Sequence, residues 1–246
     1  MGIECVMAAL TRTRNRRRPS ARPRQRSNPL TPAARRCREH FLAFFPDGFR
    51  DETYVETERS YKWDAHREWV ELLNRKTFES LLDAHGYDEI ARRGLRIESQ
   101  TNLLFSFEKM ALRDALRDAA GARTFARALH GWIYGSGRER ERFERWIEQV
   151  GALPRRQTRV LTWPIVTVFG FIARPRVHMY LKPTVTRIAA DAYEFDFEYR
   201  STPQWETYSS LLDFARRIRG DQADLGPRDM IDAQSFIWTQ GSAEYE

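Results

Sequence analysis

Cysteine is nearly missing. Cys5 and Cys37 are the only two, both near the N-terminus and without CxxC spacing. That excludes a disulfide framework and fits a reducing, cytoplasmic setting. No apolar run approaches the ~20 residues that span a bilayer, so no membrane partner is expected. The chain does not open with a basic segment followed by an apolar core of signal-peptide length. Met1-Gly2 fails as a myristoylation signal, because Val6 stands where Ser or Thr is wanted. There is no HExxH, no Cys/His cluster and no histidine pair at metal spacing, which argues against a zinc site. The five histidines, His40, His66, His85, His130 and His178, are scattered. GxSxG is absent, which argues against a nucleophile elbow. Gly135-Ser136-Gly137 completes neither GxGxxG nor a P-loop. No repeat of fixed period occurs.

What is present begins with apolar mass. The chain has 246 residues, 41% of them hydrophobic, with 7 Trp, 9 Tyr and 15 Phe. This suffices for one large core or two small ones. The net charge of +7 is unevenly placed. Between Cys5 and Arg38 stand eleven arginines and no acid, while residues 39–246 carry a net −3. Residues 1–38, with four prolines between Pro19 and Pro32 and few large apolar side chains, read as a disordered tail. Arg14, Arg16, Arg17, Arg18, Arg22, Arg24 and Arg26 would neutralise phosphates if the tail is a nucleic-acid arm. A transit peptide, or an extension with no selected role, accounts for the same composition.

From Ala33 onward the apolar spacing becomes helical (Cys37, Phe41, Phe44, Phe45), and Pro46-Asp47-Gly48 marks a turn. A long helix is expected over about Glu52 to Asn74, with a wide apolar face that includes Tyr54, Tyr61, Ala65, Trp69 and Leu72. His66, between Trp63 and Trp69, reads as a core histidine with a hydrogen-bond partner rather than a catalytic group. Further helices follow to Val150, and Glu108 falls beside an apolar face as a candidate buried carboxylate.

The stretch Arg159 to Arg200 organises the remainder. Val177 to Lys182 and Phe195 to Arg200 alternate with a period of two, as half-buried strands do. Pro183 closes the first, and Thr184 caps a short helix with Ile188, Ala189 and Ala192 as its apolar stripe. Strand, helix, strand suggests a βαβ-like unit over 177–200. Residues 159–172 read as a buried strand, with a helix starting near Pro164 and capped by Thr162 as the rival. The expected fold is therefore α+β and mainly helical. It comprises a helical lobe over 39–152 and an α+β lobe over 153–246 with a small sheet and closing helices, or one continuous domain over 39–246.

The segments FLAFFPDGFRDETYVETERSYKWDAHREW, TNLLFSFEKMALRD and PRDMIDAQSFIW resemble an uncharacterised family of bacterial proteins, over residues 39–246. That resemblance carries no known activity. The last segment also resembles the closing segments of some bacterial restriction and defence proteins, which implies nucleic acid as a partner.

If the two strands are neighbours, His178, Tyr180 and Lys182 converge with Asp196, Glu198 and Arg200. His178 as acid/base, Lys182 as cation, and Asp196 and Glu198 as Mg²⁺ ligands would suit a metal-dependent phosphodiesterase. Tyr180 and Arg200 could instead stack on bases. An ordinary solvated sheet face gives the same pattern. Three functions follow: a nucleic-acid-associated accessory protein tethered by the tail, that phosphodiesterase, or a non-catalytic protein-interaction module. No cofactor is implied outside the second.

Overall fold

The structure, a computed structural model, describes residues 29–154 and 159–246. Twelve α-helices account for most of them, and no strand occurs among the described residues. The expected α+β class is thus corrected to all-α.

The first half is a succession of short amphipathic helices. They are α1 (Pro32–Phe44), α2 (Glu52–Tyr54), α3 (Ser60–Leu72), α4 (Arg75–Asp83), α5 (Tyr87–Ser99), α6 (Ser106–Leu116), α7 (Ala119–Ile133) and α8 (Glu139–Gly151). Local chemistry sets many of the starts. The Thr31 hydroxyl accepts from Ala34 N–H, the Asn74 amide oxygen from Thr77, and the Asp118 carboxylate from Gly121. α1 begins inside the stretch expected to be tail: Ala33, Ala34 and Cys37 are buried, and Arg38 pairs with Asp224. Between α2 and α3 lies one π turn, Val55–Arg59, closed by Ser60 N–H to Val55 C=O. The extra residue rotates Glu58 and Arg59 into the interior.

The second half is built on two buried helices. α9 (Trp163–Ala173) is buried at every residue and packs against α3, α5, α6, α7 and α8. A helix buried all round has no polar face and hence no 3.6-residue period. This is why residues 159–172 imitate a buried strand; the helix with Pro164 in its first turn is the one that forms. α12 (Met230–Gly241) is the second, surrounded by α1, the π turn, α10 (Pro183–Ala192) and α11 (Trp205–Asp221). One hydrophobic cluster runs through residues of both expected lobes.

The two alternating segments form neither helix nor strand, and Val177 lies in a turn. Four of their N–H groups go to hydroxyls on helices, and others to carbonyls of the flanking chain. Met179 donates to Tyr208 Oη and Leu181 to Thr167 Oγ1. Glu198 donates to Ser210 Oγ and Arg200 to Thr207 Oγ1. Ser, Thr and Tyr side chains thus replace a sheet ladder, satisfying the buried backbone without edges. Residues 178–182 are buried on both sides. In 195–200 the aromatic residues are half-buried and the charged ones exposed, as the alternation implies.

Next to the π turn, charge is buried as a paired network. Arg59 donates two hydrogen bonds to Asp229 (2.9 and 2.7 Å) and one to Asp232 (2.7 Å), which also accepts from Tyr54 Oη at 2.6 Å. Lys62 donates to Glu58 and Ser235, both at 2.9 Å, and Tyr245 Oη closes on Glu58. This cross-link joins α2–α3 to α12. Each carboxylate has a cation, so the network needs no ligand to complete it.

Candidate anion-binding pocket

Three helices begin at one place. α6 presents Phe105, Phe107 and Glu108; α9 presents Thr162, Trp163 and Pro164; α10 presents Lys182, Pro183, Thr184 and Val185. Together with Arg159, Tyr199, Ser201 and Trp238 they line a cavity of about 370 Å³. The cause is local: the two prolines favour helix starts, lacking an N–H the first turn could not use. Glu108, three residues into its helix, turns back to accept from Phe105 N–H at 2.9 Å.

Helix N-termini carry partial positive charge and unpaired N–H groups. No side chain accepts from the first turn of α9 or α10. Thr162, which could cap α9, instead donates its hydroxyl to Glu108 Oε1 at 3.3 Å. Lys182 occupies the cap position of α10 and has no acceptor to offer.

Lys182 is only 8% exposed. Its ammonium lies 3.2 Å from the centre of the Phe105 ring and donates to Leu103 C=O at 3.3 Å. Tyr180 Oη donates to the same carbonyl. Among the described residues no carboxylate lies within ion-pairing distance of Lys182. Burial lowers its pKa below the ordinary lysine value, and Glu108 opposes that shift. Glu108 is itself 3% exposed, with both oxygens engaged. The walls are otherwise largely aromatic and aliphatic. Phe105 and Phe107, 54% and 47% exposed, stack at 5.5 Å beside the opening.

The other expected site residues are elsewhere. His178 is wholly buried, its ring 4.3 Å from that of Trp132 and its Nδ1 3.2 Å from Tyr208 Oη. Burial first, then the cations Arg174 and Arg142, push its pKa down to about 3, so it is neutral at neutral pH. Tyr180 is buried too, so its ring offers no stacking platform. Asp196 and Glu198 are exposed on the extended segment and share a shallow groove with Arg140, Glu206 and Asp213. Arg200 is exposed beside Gln204 and Glu206, and its carbonyl accepts from Trp163 Nε1 at 2.8 Å. The structure therefore brings Asp196 and Glu198 together but separates both from Lys182 and His178. Among the described residues no group of three or more His, Cys, Asp or Glu is arranged to hold a metal ion. Arg14, Arg16, Arg17, Arg18, Arg22, Arg24 and Arg26 lie outside the described residues. His66, half-buried, donates from Nδ1 to Ile172 C=O at 2.8 Å, the hydrogen-bond partner expected of it.

Sequence reasoning reached Lys182 and the burial of Glu108 but missed Phe105, Arg159, Thr162 and Trp163. The signal that could have found them is the repetition of helix-start chemistry: Glu108 at the third position of α6, Pro164 and Pro183 in the first turns of α9 and α10. No family model, curated protein or solved structure matches the chain. Among the described residues no helix is long and apolar enough to cross a membrane.

Proposed function

We propose that the chain binds a small amphiphilic acid, with an aromatic or aliphatic body and one carboxylate or phosphate head, where α6, α9 and α10 begin. The observation that carries this reading is Lys182: a buried cation with no carboxylate within 4 Å among the described residues, since Glu108 in the same wall is engaged by Phe105 N–H and the Thr162 hydroxyl, within a ring of three helix N-termini. Burying a charge without an ion pair is costly, and an anionic head supplied by a ligand would complete the pair. Two uncapped first turns would donate to the same head, as helix N-termini do for phosphates and carboxylates. The aromatic walls would take the body, and the volume falls in the range of small-molecule sites.

Thermal shift tests this directly. 1-Naphthoate and 1-naphthyl phosphate distinguish the two head groups, with 1-naphthalenemethanol as the neutral control. At 100 times its Kd a ligand stabilises by about 2.7 kcal/mol, so the acid, the phosphate or both should raise Tm by roughly 5–10 °C. The alcohol should leave it nearly unchanged. Equal shifts from all three, or none from either anion, would refute the reading.

A further inference from the structure

A second face of the molecule concentrates unpaired positive charge. α7 and α8 pack side by side, and the groove between them, about 550 Å³, is lined by Arg123 and Arg127 from α7 and by Arg142 and Arg145 from α8. Glu148 is the one acid on its walls. Among the described residues none of these four arginines has a carboxylate within 4 Å. Many arginines on helix surfaces elsewhere are paired: Arg92 and Arg93 with Glu89, Arg140 with Glu144, Arg216 with Asp213, Arg217 with Asp221. Those that are not, among the described residues, Arg35, Arg113, Arg187 and Arg219, stand one to a helix on α1, α6, α10 and α11 rather than gathered in a groove. The contrast matters because residues 39–246 carry a net negative charge, so general basicity cannot explain the patch.

Two of the four guanidinium groups are held in place. Arg127 donates to Tyr87 Oη at 2.9 Å and lies over that ring at 5.5 Å. Arg142 donates to the carbonyls of Trp132 and Gly135 at 3.1 and 3.2 Å and lies over the Trp132 ring, while its buried Nε has no partner. The floor is open: a Cβ added at Gly131 would meet nothing within 4 Å, so a side chain there would project into the groove.

We propose that this groove holds the backbone of a single-stranded nucleic acid. Arg123 and Arg127, four residues apart, stand about 6 Å apart along their helix, and Arg142 and Arg145 about 4.5 Å apart on the opposite wall. Two facing rows of guanidinium groups suit a succession of phosphates, whereas a lone phosphate would engage at most a pair. Helix axes in contact are about 8–10 Å apart, so the crease between them follows one backbone rather than enclosing a duplex. The binding is read through backbone charge and is insensitive to base sequence.

The test uses the full chain and fluorescence anisotropy with labelled oligo-dT across a salt series. Single-strand binding loses about 0.7 in the slope of log K against log salt per phosphate contact removed. Arg123→Ala combined with Arg145→Ala removes two exposed arginines that make no hydrogen bond or ion pair among the described residues, so folding is retained. The slope should fall by about 1.4. The charge-matched control, Arg216→Ala with Arg217→Ala on α11, should leave it unchanged. An unchanged slope in the groove variant, or an equal fall in the control, overturns the proposal. So does an effect confined to duplex DNA, or displacement of oligo-dT by inorganic phosphate at constant ionic strength.

Discussion

Lys182→Met should make the protein more stable while it removes anion binding. Methionine keeps most of the lysine stem and drops the ammonium. Three terms decide the sign. Releasing a buried charge that has no carboxylate within 4 Å, net of its longer-range attraction to Glu108, gains about 2 kcal/mol. Losing the contact with Phe105, whose ring is 54% exposed, costs about 0.5–1 kcal/mol. Losing the 3.3 Å hydrogen bond to Leu103 C=O costs little, because Tyr180 Oη still satisfies that carbonyl. The balance is about 1 kcal/mol in favour of methionine, or roughly 2–4 °C in Tm for a chain of this size. The pH dependence gives an independent check. Burial holds the folded pKa of Lys182 below the 10.5 of the unfolded chain. Its charge is therefore a penalty on folding, full below the folded pKa, shrinking between the two values and gone above 10.5. Melting curves at pH 7 and near pH 10.5 should show the gap between variant and wild type closing at the higher pH. A variant that melts below wild type at pH 7, or a gap of equal size at both pH values, would refute this account of the buried cation.

Further outcomes follow from the core. Arg59→Met leaves Asp229, 4% exposed, without a cation, and Asp232, 0% exposed, with Arg228 alone. Urea titration should show a loss of about 3–5 kcal/mol. The same network predicts an acid limb. Burial raises the pKa of Asp232, but Arg228, Arg59 and Tyr54 outweigh it and hold the value below 3.8. That stabilisation is complete well above pH 3.8 and is lost as pH falls through the lower folded value. Tyr54→Phe should shift the limb upward in a pH-dependent denaturation series. Gly170→Ala would place a Cβ 2.7 Å from Trp132 Nε1 and 3.3 Å from the His178 ring. It should cost about 1–3 kcal/mol by overpacking, measured by chemical denaturation.

The legible parts of the fold were those whose pattern has one physical cause. Helix faces along α3, α6, α7 and α11 follow the 3.6-residue period because one side is wet. α9 was not legible, since a helix buried on every face shows no period and its Val, Ile and Phe content suits a strand equally well. Residues 177–182 and 195–200 read as strands of a sheet, and the structure makes them neither strand nor helix, with Val177 in a turn. Alternation records which way side chains point, and it is silent about whether a neighbouring strand or the hydroxyls of Thr167, Tyr208, Ser210 and Thr207 take the backbone hydrogen bonds. The expected site failed for the same reason: without a sheet, Lys182 and Asp196 have no common face. The alternation puts Lys182 on an open polar face, whereas the structure buries it at 8% exposure. Phe105 and Trp163 were hidden among ordinary core aromatics until tertiary packing brought three helix starts together.

Calorimetric titration of 1-naphthoate and 1-naphthalenemethanol, against wild type and Lys182→Met, tests the anion pocket most directly. Wild type should bind the acid at least tenfold more tightly than the alcohol, a difference of about 1.4 kcal/mol, and the variant should bind both about equally. Equal affinity for acid and alcohol in wild type, or a preference for the acid that survives in Lys182→Met, would contradict it.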